Sequence, residues 1–150
     1  MDQREHIMKT RNQKIGQKGV AVLEFSIILP FLVLLVFGTI DFGVMFYNKQ
    51  VITNASREGA RAGITGIGNT EVKQIVWDYC NSKLINLNGS NDLQAAGDVV
   101  VTPEDNPDGT KDLSVAVSFD YKLLFSKLIG FTDTTISAHT IMRMEPGTGS

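Results

Sequence analysis

One cysteine, Cys80, in 150 residues excludes a disulfide within the chain, so packing alone must hold the fold. Only two histidines are present, and His6 and His139 lie far apart with no cysteine pair near either, so no metal-ligand spacing emerges. No nucleophile with a base in pattern is found. Gly63-Ile64-Thr65-Gly66-Ile67-Gly68 resembles a phosphate loop only superficially, because no strand is expected before it. The chain is therefore expected to have no catalytic residue, no metal and no cofactor, and not to be an enzyme. A formal net charge of −2 offers no basic surface, so no nucleic-acid partner is expected. Cations are also missing internally: between Lys18 and Lys49 there is neither Lys nor Arg.

That cation-free stretch contains an almost wholly apolar run from Val20 to Ile40, with Glu24 its one ionisable residue. A helix of about twenty residues spans roughly 30 Å, the hydrocarbon thickness of a bilayer, so the run is expected to cross a membrane. Arg4, Lys9, Arg11, Lys14 and Lys18 precede it against only Asp2 and Glu5. The positive-inside rule then places the N-terminus in the cytoplasm and residues beyond 41 outside it. The run is longer than the apolar region of a secretory signal and closes in Asp41-Phe42-Gly43 rather than a small-residue cleavage site. That triplet lacks every accompanying kinase signature and reads as a boundary marker.

Glu24 is the oddity. A carboxylate at the centre of a membrane helix costs about 2.5–3.5 kcal/mol, less near the interface. It could reach headgroup water, or it could have a partner. Gly19 precedes Val20-Ala21-Val22-Leu23-Glu24-Phe25, so a cut after Gly19 would leave a free amine on Val20 with Glu24 the fifth residue of the cut chain. The basic leader ending in Lys18, the glycine, four apolar residues, Glu24 and the aromatic Phe25 resemble the processing site of type IV-like prepilins of the tight-adherence (Tad, or Flp) pilus systems. The resemblance continues through Leu29-Pro30-Phe31, Phe37-Gly38, Asp41-Phe42-Gly43 and Asn54-Ala55-Ser56-Arg57-Glu58-Gly59-Ala60-Arg61-Ala62. This order is similar to the TadE-like pseudopilin domain, with the sister TadF family left open, and covers residues 16–63.

The resemblance implies a minor pilin, or pseudopilin, cut between Gly19 and Val20 by a membrane prepilin peptidase. Its implied partners are other minor pilins, the major Flp pilin, the pilus assembly platform and the lipid bilayer, in a hetero-oligomer. The implied location is the bacterial inner or cytoplasmic membrane, with incorporation into the pilus an extension of it, in the service of assembly, adherence, biofilm formation or secretion. Glu24 would pair with the new amine of Val20, on its own or a neighbouring subunit. Arg57, Glu58 and Arg61 are candidates for subunit contact, against the plainer account of a solvated face with a local Glu58–Arg61 pair. The rival reading is an uncleaved single-pass membrane protein whose external domain binds a ligand or another protein.

Four regions are expected: a basic leader over 1–19, a transmembrane helix over 20–41, an extension of that helix over 42–63, and an extracytoplasmic head over 64–150. The leader has no apolar periodicity and is expected to be irregular. Pro30 removes the backbone bond to the Ser26 carbonyl and is expected to kink the helix. Val44, Tyr47, Val51, Ala55 and Ala62 give the extension an apolar side, and glycines from Gly63 to Gly68 end it in a flexible connection. Thr70-Glu71 signals a second helix, with Val72, Ile75, Val76, Tyr79, Cys80, Leu84 and Leu87 as its buried stripe. Asn88-Gly89-Ser90-Asn91-Asp92 signals a loop, and Glu145 to Ser150 reads as a loose tail. Val99-Val100-Val101, the alternation Val115/Val117/Phe119/Tyr121 and the alternation Ile136/Ala138/Thr140/Met142 predict three antiparallel strands, the first two joined through Asn106-Pro107-Asp108-Gly109. The expected fold class is α+β, type IV pilin-like: a long N-terminal helix leading into a small head with a second helix and a sheet.

Overall fold

The computed structural model describes residues 3–87, 93, 98–124, 130 and 134–144, with side chains from residue 19 onward. The signalled loop at 88–92 and the tail at 145–150 lie outside the described residues. Five elements follow in order: α1 (Gln3–Gly63), α2 (Asn69–Asn81), β1 (Val99–Asp105), β2 (Lys111–Tyr121) and β3 (Thr134–Arg143). The fold is α+β, as the apolar periodicities predict. The chain divides into two compact units, Met1–Ile40 and Asp41–Ser150.

In the first unit, α1 is already helical at Gln3, so the leader is not irregular. From Gln3 to Ile15 there is no glycine or proline, and Gln, Arg, Glu, Met and Lys are good helix formers even without an apolar face. α1 continues through Pro30. From Val20 to Ile40 the large apolar side chains are exposed throughout, as in Phe31 at 73% and Leu35 at 65%. By length and composition this part of α1 can cross a membrane. The hydroxyls in the run are satisfied inside the helix, since Ser26 Oγ donates to the Val22 carbonyl at 2.7 Å and Thr39 Oγ1 to the Leu35 carbonyl at 2.8 Å. That is what a hydroxyl surrounded by hydrocarbon requires.

In the second unit the strands form one antiparallel sheet in the order β1-β2-β3. Val115 pairs with Val101 on one side and Thr140 on the other, so the inward residues of all three strands fall in register. Leu113, Val115, Val117, Phe119 and Tyr121 are buried on one face of β2. Pro103 lies within β1, which an edge strand tolerates. The β1–β2 turn is fixed by Asp108, whose Oδ1 accepts from the Thr110 amide at 3.0 Å and the Thr110 hydroxyl at 2.6 Å. These bonds hold the Asp108 carboxyl below the usual carboxylate range. Gly109 at φ +81° supplies the left-handed step of that turn.

The second helix differs from its expected start and end. Gly68 is the N-cap, with no side-chain cap bond, so Thr70 lies inside the first turn instead of capping it. Val72, Val76 and Cys80 are buried along its inward line. Leu84 is buried beyond the helix end, whereas Leu87 is 40% exposed and off the stripe, because α2 stops at Asn81 and helical spacing ceases to apply. The connection from α1 is a hydrogen-bonded turn, with Thr65 N–H donating to the Ala62 carbonyl at 3.2 Å and Gly66 N–H to the Gly63 carbonyl at 3.1 Å.

Candidate processing site and the polar clasps of the helix

The sequence singles out one end of α1, and the structure adds a second set of residues further along it. Lys18, Gly19, Val20, Glu24 and Phe25 all fall within α1. Val20 is 56% and Phe25 59% exposed, and a Cβ at Gly19 would meet nothing within 4 Å. Glu24 is exposed and, among the described residues, has no hydrogen-bond or ion-pair partner. An acid alone on an apolar helix is unsatisfied in lipid until something cationic or aqueous reaches it.

Arg57, Glu58 and Arg61 lie in the second unit. Arg61 Nη2 meets Glu58 Oε1 at 2.8 Å, and Arg61 Nε donates to Glu58 Oε2 at 3.3 Å, a two-pronged pair one helical turn apart. The hydrogen bonds first, and the opposite charge second, lower the Glu58 pKa and raise that of Arg61. The pair is open to solvent, and Arg57 is exposed beside it.

Three polar residues that periodicity alone did not flag are buried on the inward side of α1. Asp41, 5% exposed, accepts from the Tyr121 hydroxyl at 3.0 Å through Oδ1 and from the Leu124 amide at 3.2 Å through Oδ2. Burial first, then the bond to Asp41 and its charge, push the Tyr121 phenol well above its ordinary range. Asn48, fully buried, donates through Nδ2 to the Ile85 carbonyl at 2.5 Å and accepts the Ile85 amide at 3.0 Å through Oδ1, as a neighbouring strand would. Ser56 Oγ donates to the Thr53 carbonyl at 2.9 Å and meets Thr140 Oγ1 at 2.7 Å, which leaves Thr140 as the donor of that bond. Lys49 donates to the Ser137 carbonyl from the flank.

Spacings of seven and eight residues put Asp41, Asn48 and Ser56 on one helical face. The first clasps the end of β2, the second the segment after α2, and the third β3. Apolar packing fills the intervals, with Val51, Ile52, Ala55 and Ala60 in the core. Gly59 and Gly63 allow the closest approach: a Cβ on Gly59 would strike Val76, and one on Gly63 would strike Leu113 and come within 3.1 Å of Val72. Asp41 is thus more than a boundary marker, since it is the first fixed point of the second unit. The available signal was an acid in phase with Asn48 and Ser56, legible only once the inward face of α1 is known.

Residues 19–61 match the family model for TadE-like protein. That segment is TadE-like. The match begins at Gly19 and ends at Arg61, so it takes in the apolar run, Asp41, Asn48 and Ser56, and leaves α2 and the sheet outside it. With the apolar helix it supports a Tad pilus-associated, membrane-localised protein. No curated protein and no solved structure matches the chain.

Proposed function

We propose that this protein is a minor pilin, or pseudopilin, of a Tad pilus, stored in the membrane by residues 20–41 and cut after Gly19 by a prepilin peptidase. The observation that carries the reading is the TadE-like segment, which starts at Gly19 and sets Glu24, exposed and without a partner among the described residues, five residues from it. Gly19 lies in a helix, and peptidases take extended chain, so the site must unwind locally. A glycine weakens a helix by about 1 kcal/mol relative to alanine, which favours that opening. The released Val20 amine is then the cation that Glu24 lacks. In a low-dielectric setting an amine and a carboxylate interact far more strongly than in water, so the pair sets the axial register of packed subunits.

Sequential roles follow for the rest. Residues 1–19 orient the chain and present the cut site, with Lys18 and Phe25 flanking it. Pro30 bends the span where it packs against other helices. Residues 42–63 continue the helix within the second unit, packed against residues of 64–150, and Arg57 with the Glu58–Arg61 pair offers an exposed charged surface to neighbouring subunits. The major Flp pilin, other minor pilins and the assembly platform are the partners, in adherence, biofilm formation or secretion.

The test is co-isolation of the protein with the other pilins from membranes that express the whole pilus system. Glu24→Ala is expected to be processed normally but to lose co-isolation, whereas Glu24→Asp retains part of it. Equal co-isolation of wild type and Glu24→Ala would remove Glu24 from assembly.

A further inference from the structure

We propose that the second unit carries a lipid-contacting surface at the pole where the chain enters it, binding anionic headgroups through Lys83 and Lys122 and resting Phe42, Phe46, Ile85 and Leu87 at the boundary with the acyl chains. This rests on the reading of residues 20–41 as a membrane span.

Hydrogen bonds already described assemble the pole. Asp41 holds Tyr121 and Leu124, and Asn48 holds Ile85, so the end of β2 and the segment after α2 converge on the turns of α1 from 41 to 48. The apolar side chains there are not folded inward: Phe42 is 59%, Phe46 66%, Ile85 41% and Leu87 40% exposed. The cations flanking them are also exposed. Lys83 sits over the Tyr79 ring with its ammonium 3.4 Å from the centroid, and Lys122 follows Tyr121 directly. The acid nearest Lys122 in sequence is Asp120, whose Oδ1 is engaged by the Thr135 hydroxyl at 2.6 Å.

The opposite end of β2 is richer in acid. Eleven residues of strand, roughly 35 Å away at about 3.3 Å each, lead back to a hairpin bearing Glu104, Asp105, Asp108 and Asp112. Two of these acids are matched by Lys111 and Arg143 at 3.7 and 3.5 Å, and the hairpin remains acidic.

Covalent continuity selects the occupant. Asp41 adjoins Ile40, the last residue of the apolar run, so the surroundings of the span's end are within one residue of the pole. Aromatic and aliphatic side chains interleaved with lysine suit a headgroup layer, where apolar groups sink and ammonium groups meet phosphate. Each lysine near an anionic surface strengthens binding about fivefold at physiological ionic strength.

The experiment places a spin label on the full-length protein in bilayers of phosphatidylcholine alone or mixed with phosphatidylglycerol, and reads collisions with oxygen and with a water-soluble nickel chelate. Labels are attached at Leu87→Cys, with Asp105→Cys as a water reference and Leu32→Cys as a span reference. Cys80 is buried and stays unlabelled in the folded protein. The expected result is oxygen-favoured collision at Leu87→Cys in the mixed bilayer, reverting to the Asp105→Cys level when Lys83→Glu and Lys122→Glu are added. A water-like Leu87→Cys with Leu32→Cys in lipid overturns the surface while leaving the span intact. Protection of Leu87→Cys from both reagents means protein, such as a second copy, covers it, and also overturns the proposal. A Leu32→Cys label outside lipid removes the span and the surface together.

Discussion

At the residue scale, Asp41 is the most consequential side chain in the second unit, because its two oxygens serve a phenol and a backbone amide that would otherwise lack these partners. Asp41→Ala is expected to cost about 3 kcal/mol, since each abandoned donor carries a desolvation penalty of about 1–3 kcal/mol, and Tyr121→Phe about 1–2 kcal/mol. Urea unfolding of the detergent-solubilised protein measures both. The Tyr121 phenol also gives an alkaline signature. Its folded pKa is raised above the ordinary 10.0, so its contribution is complete below pH 10.0 and is lost as the pH climbs through the folded value. Tyr121→Phe should flatten the fall in the urea midpoint above pH 10.0. Cys80 behaves in the same sense, its thiol pushed by burial from 9.0 to about 12. It should resist a disulfide reagent at neutral pH until the protein is denatured, and rapid labelling of the native state would contradict its place in the core.

At the element scale, two glycines of α1 that look alike in sequence should respond oppositely to alanine. A Cβ added at Gly43 would meet nothing within 4 Å, so Gly43→Ala should stabilise α1 by about 0.5–1 kcal/mol through helix propensity. Gly59 faces Val76, Val72 and Val115, and Gly59→Ala should destabilise by about 1–3 kcal/mol despite the same propensity gain, because the packed residues must shift. Thermal melts of the two variants check the pair. The strands and the core line of α2 were legible because period-two and three-to-four spacing survive wherever one face is buried, as at Val115 to Tyr121 and Val72 to Cys80. The inward face of α1 was legible only in part. Val51 and Ala55 are buried as expected, but Tyr47 is 45% exposed, and Asn48 occupies the inward position beside it. A buried amide that copies a strand's hydrogen bonds reads as solvent-facing until its partner, 37 residues away, is known.

At the scale of the whole molecule, the sequence carries two kinds of information that meet in α1. The stretch from Val20 to Ile40 is apolar on every side, so it has no inward face, whereas the stretch from Asp41 to Gly63 has one inward face set by clasps and close-packed glycines. The first suits lipid or neighbouring helices, and the second commits that part of the helix to its own sheet and α2. The proposed processing site rests on an ordered motif, Gly19, Glu24 and Phe25, read from spacing along the chain. The partners proposed for it, a peptidase and a neighbouring subunit, were not legible, because such partners leave no trace in the intramolecular packing of one chain. The most direct measurement is the intact mass and N-terminal sequence of the protein from membranes containing the matching prepilin peptidase, beside Gly19→Leu. A mature chain that begins at Val20, and a Gly19→Leu chain that keeps residues 1–19, is the predicted result; a wild-type chain that still begins at Met1 or Asp2 would contradict processing and leave an uncleaved membrane-anchored protein in its place.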